Sequence, residues 1–70
     1  MNEQCKLNPV KIDNPHIKSA LRKAGVFGVT GTITRADIVE KTVWVKFSHN
    51  DQGDKIQENF PLDMEWIVTI

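Results

Sequence analysis

The sequence holds a single cysteine, Cys5, so an internal disulfide is excluded. A lone thiol in a short chain fits a reducing compartment. No apolar run approaches the roughly 20 residues a membrane span requires. The first 20 residues carry no apolar stretch of the secretory kind, so no export signal is expected. Membrane insertion is not expected either, and the cytoplasm is the expected location. Net charge is also lacking: nine basic residues balance nine acidic ones. That balance disfavours a dedicated nucleic-acid binder, whose affinity leans on phosphate neutralisation.

What is present describes one small domain. Apolar residues make up 40% and charged residues 26%, values of a globular chain and not of a disordered one. Seventy residues bury little surface, about 60% of what the unfolded chain exposes, so stability is expected to be marginal. The charge is unevenly placed. Residues 1–23 hold five basic and two acidic residues, a net +3, and residues 51–70 hold one basic and five acidic, a net −4. Two readings follow. The asymmetry holds the two ends of the chain together, or it makes two oppositely charged faces, one of them for a partner.

Residues 1–7 show no clear period and read as a loose, flexible start before a domain spanning 8–70. Pro9 forces Asn8 to be extended, and Val10 and Ile12 alternate with Lys11 and Asp13, the signature of a strand. The best local signals come next. Asn14 is a good N-cap and Pro15 suits the first helical position. Ile17, Ala20, Leu21 and Ala24 recur at helical spacing, Arg22 and Lys23 fall in the last turn, and Gly25 is the natural stop. A helix over 15–24 is predicted. It is too short to stand alone and must dock its stripe on something.

From Gly28 the period becomes two. Val29 and Ile33 share a face, and Gly31 within that strand points to a bulge or a close backbone approach. Residues 36–41 read as a hairpin connection. Thr42 to Ser48 is the clearest strand, with Val43, Val45 and Phe47 on one face and Trp44, Lys46 and Ser48 on the other. His49 to Asp54 reads as a polar turn. A strand over 55–60 ends at Pro61, a 3₁₀-like turn covers 62–65, and 66–70 form a last short strand. The expected core is Val10, Ile12, Val29, Ile33, Val43, Val45, Phe47, Ile56, Phe60 and Leu62. Several short strands with tight links predict a mostly β fold: a small five-stranded barrel, closed to remove its edges, with one short helix inserted after the first strand.

Three stretches carry a resemblance. They are Gly28-Val29-Thr30-Gly31-Thr32-Ile33, Val43-Trp44-Val45-Lys46-Phe47, and Asn59-Phe60-Pro61-Leu62-Asp63-Met64-Glu65 leading into Trp66-Ile67-Val68. Over residues 26–70 this pattern resembles small SH3-like barrel proteins, of the kind seen in a small barrel component of photosystem I and in the variable chain of ferredoxin–thioredoxin reductase. The resemblance implies a non-catalytic accessory or adaptor module that docks on a larger protein.

No catalytic constellation stands out, so no enzyme is expected. Gly25, Gly28 and Gly31 match neither the dinucleotide fingerprint nor a phosphate loop. A calcium loop aligned on Gly53 lacks its bidentate acid, because Asn59 falls at the twelfth position. His16, His49 and Cys5 meet no zinc spacing, and Cys5 has no evident activating partner. Neither a cofactor nor a metal is called for.

Trp44 is the residue that asks for a role. It lies out of phase with its buried neighbours. Either it is a contact residue or it covers the helix stripe of Ile17 and Leu21. An intermediate exposure is expected, with one edge of the indole against Leu21. The leading reading is a protein-interaction surface built on Phe27, Ile38, Val39, Trp44 and Trp66. The alternative is nucleic-acid binding, with Lys11, Lys18, Arg22 and Lys23 on phosphates and Trp44 stacked on a base. A homo-oligomer is compatible with either.

Overall fold

The computed structural model describes residues 3–70. Five antiparallel strands form one sheet: β1 (Gln4–Leu7), β2 (Gly31–Asp37), β3 (Thr42–His49), β4 (Lys55–Asp63) and β5 (Ile67–Thr69). One helix, α1 (Pro15–Ala24), follows β1, and a 3₁₀ turn (Met64–Trp66) joins β4 to β5. The spatial order is β4-β3-β2-β1-β5. The sheet ends at β4 and β5, which do not pair with each other, so the expected closure is not seen.

The first strand lies earlier than the sequence suggests. Gln4–Leu7 alternates outward and inward, with Cys5 and Leu7 buried. It sits between β2 and β5. Of the expected loose segment 1–7, Met1 and Asn2 lie outside the described residues, and 4–7 are an inner strand. The expected strand at Val10 is instead a turn. Lys11 N–H donates to the Asn8 carbonyl (3.1 Å) and Ile12 N–H to that of Pro9 (3.3 Å). Pro9 presets the φ such a turn needs. Val10, expected in the core, is 88% exposed, while Ile12 is buried.

The helix matches its prediction at both ends. Asn14 is extended, and its Oδ1 accepts the N–H groups of His16 (3.0 Å) and Ile17 (3.2 Å). Gly25 closes the helix at φ 71°, donating to the carbonyls of Leu21 and Arg22. Leu21 is buried, with Ile17 and Ala24 packed beside it against the core; Ala20, expected in the stripe, is exposed. The Gly25 carbonyl accepts from Asp51 N–H at 2.6 Å, which fastens the end of α1 to the β3–β4 turn.

Val43, Val45 and Phe47 fill the inner face as expected. Phe47 meets Phe60 edge to face at 6.1 Å. Val29, Ile56 and Phe60 are only partly buried, and Val26 is a fully buried residue that the periodicity did not mark. Gly31 realises the close approach. A Cβ there would stand 2.6 Å from Val45 Cγ1 and 2.8 Å from Phe47 Cε1. The bulge falls at Thr34, where the β2–β3 register shifts. Pro61 does not end β4, which runs on to Asp63. An edge strand tolerates proline because one side of it needs no donor.

Candidate functional site

The β2–β3 hairpin carries the most exposed apolar residues of the sheet. Its connection is held by short local bonds. Asp37 Oδ1 accepts Glu40 N–H (3.2 Å), Lys41 N–H donates to the Ile38 carbonyl (3.3 Å), and Thr42 Oγ1 donates to the Glu40 carbonyl (3.2 Å). Lys41 takes a left-handed φ of 55°. Its carbonyl accepts Met64 N–H at 3.0 Å, tying the hairpin to the 3₁₀ turn. The tip then presents Ile38 and Val39, 80% and 90% exposed.

Trp44 lies on the outer face of the hairpin. It pairs across strands with Arg35 and Pro61, both exposed. The indole is partly buried and lines a notch of about 290 Å³ with Arg35, Asp37, Glu40 and Thr42. It does not join the core, and Leu21 lies in the core on the opposite side of the sheet. The expected intermediate exposure is found. The expected contact with Leu21 is not, because α1 docks on the inner face.

The inner side of the same hairpin opens into a cleft of about 350 Å³ lined by Ile33, Ala36, Val43, Met64 and Ile67, with Glu3 and Thr69 completing it. Sequence reasoning missed this cleft. In the sequence Met64 and Ile67 show only as parts of a turn and a strand, and no local pattern tells which core-facing residues end at an opening.

The proposed contact residues therefore separate. Ile38, Val39 and Trp44 share one hairpin. Phe27 and Trp66 are partly buried, pack against the core, and do not line the notch. Of the basic set, Lys11, Arg22 and Lys23 are exposed and Lys18 is partly buried. Lys18, Arg22 and Lys23 ride on α1, which docks on the face away from Trp44, so the indole and these cations do not form one groove.

Other chemistry finds little to build on. Cys5 is buried, and desolvation pushes its thiol above its ordinary pKa, which lowers its nucleophilicity at neutral pH. Ser48 Oγ and His49 Nδ1 stand 3.2 Å apart, but they are adjacent exposed residues without an orienting third group in the hydrogen-bond network. Among the described residues no three His, Cys, Asp or Glu side chains gather as a metal site. No helix among them is long and apolar enough to cross a membrane.

Fold and site together define a small antiparallel β domain with one docked helix and an apolar hairpin end. The chain matches no family model, no curated protein and no solved structure.

Proposed function

We propose that this chain is a non-catalytic protein-interaction module, an accessory or adaptor domain whose contact surface is the end of the β2–β3 hairpin. The observation that carries this reading is the pair Ile38 and Val39, held almost fully in water at a hydrogen-bonded tip. Burying either side chain on a partner is worth about 1.5–3 kcal/mol. Trp44 adds a large aromatic on the outer flank, and the Ile33–Met64 cleft adds apolar surface on the inner flank. Apolar groups clustered at one end of a small domain are the usual mark of a contact site.

The strand order β4-β3-β2-β1-β5, with a 3₁₀ turn before the last strand, is compatible with a small SH3-like barrel whose first connection carries a helix. In the expected adaptor role the sheet is a rigid mount for the hairpin, and the charged helix lies away from the contact.

A photo-crosslinking side chain placed at Val39 tests the reading, with the same group at Lys23 as control. Cross-linking in cell extract is expected to give a discrete protein adduct from position 39 and none from position 23. The same adducts from both positions, or none from either, would remove the hairpin as the contact surface.

A further inference from the structure

The two free edges of the sheet are built differently. The outer edge of β4 carries Lys55, Glu58 and Pro61, and Gln57 bends it with a left-handed φ of 54° beside a register shift. Charges, proline, bulges and very short strands are the devices by which proteins keep an edge from pairing. β5 is short, at three residues, but has none of the other three. Its residues are Ile67, Val68 and Thr69, followed by Ile70, without a charge, proline or bulge.

The backbone bonds of β5 show which groups remain open. Asn8 N–H donates to the Trp66 carbonyl (2.7 Å), and Ile70 N–H donates to that of Gln4 (3.0 Å). Lys6 lies opposite Val68 between them. In an antiparallel ladder hydrogen-bonded pairs alternate with non-bonded ones. Cys5–Thr69 and Leu7–Ile67 are then the non-bonded pairs, and both N–H and both C=O groups of Ile67 and Thr69 point away from β1. Among the described residues no strand pairs with that side.

We propose that β5 pairs with β5 of a second copy, antiparallel about a two-fold axis at Val68. In that register Ile67 faces Thr69 of the other copy as a hydrogen-bonded pair, and the symmetry repeats it. Four inter-chain bonds then satisfy all four open groups with none left over. Val68 meets its own counterpart on the outer face, where it is 53% exposed, and Ile70, 74% exposed, lies beside the seam. No charge falls on the paired run, so like charges do not meet there. The interface is isologous and closes at two copies. It extends the functional reading without using the hairpin tip, so the two can fail separately.

Sedimentation equilibrium of the full chain, across a wide concentration range, provides the test. The wild type is expected to pass reversibly from monomer to dimer. Thr69→Pro removes a donor only on the free side, and Val68→Glu sets like charges across the axis while placing a carboxylate beside Lys6 of the same chain. Both variants are expected to lose the dimer, and to melt as the wild type does at the dilute concentrations where it is monomeric. Slowed amide exchange at Ile67 and Thr69 in the wild type at high concentration is expected alongside. A wild type that stays monomeric throughout, a series growing beyond the dimer, or a dimer that survives both substitutions undiminished would overturn the pairing.

Discussion

The two ends of the inner sheet face meet different fates. At the end nearest the β3–β4 turn the chain covers its own apolar residues. Leu21, Val26, Val45 and Phe47 are almost wholly enclosed, and Gly25 bonds to that turn. At the hairpin end the cover is incomplete: the 3₁₀ turn bonds to Lys41 and packs Met64 against the core, but a cleft stays open beside it. Ile33 and Val43, though themselves buried, border that cleft, and Ile38 and Val39 project into water. One sheet thus carries a finished core at one end and unspent apolar surface at the other. A small domain has little apolar surface to spare, so where it leaves some exposed is informative.

The largest effect expected from breaking this contrast is at the closed end. Phe47→Ala should cost about 3–5 kcal/mol, enough to abolish cooperative melting in a marginal domain. A cooperative denaturant transition near the wild-type midpoint would show the core is not where the structure puts it. Gly31→Ala comes next, at about 1–3 kcal/mol, since the added methyl would press on Val45 and Phe47. An unchanged melting temperature there would mean the sheet yields more readily than this packing implies. Asn14→Ala should cost on the order of 1 kcal/mol, because two helix N–H groups lose their acceptor. Circular dichroism through a urea titration reads that loss directly.

The closed end was also the more legible one. The run Asn14-Pro15 to Gly25 marked out the helix because capping and termination are chemical properties of single residues. Phe47, Val45 and Val43 were legible because strand period puts them on one side. The signal failed where four residues had to be read alone. Gln-Cys-Lys-Leu does alternate, but Val10-Lys11-Ile12-Asp13 alternates as well, and only the pairing of Cys5 with Gly31 and Thr69 decides between them. Pro61 misled because its cost depends on whether a strand is inner or outer, a fact of topology. At the hairpin, Ile38, Val39 and Trp44 could be named from the residues, but their separation from Phe27, Trp66 and the basic helix follows from which face α1 covers. The cleft was invisible for the same reason.

The most direct test of the contrast between a structural end and a proposed contact end is Trp44→Ala, read in two ways on one preparation. Trp44 sits outside the core, on the exposed face of the hairpin. Its loss should therefore change stability by no more than about 1 kcal/mol, the span of strand propensity and cross-strand pairing for a half-buried strand residue, and should remove the adduct formed by the cross-linker at position 39. Destabilisation of about 3–5 kcal/mol, the cost of losing a buried aromatic, or an adduct that persists unchanged, would contradict the account.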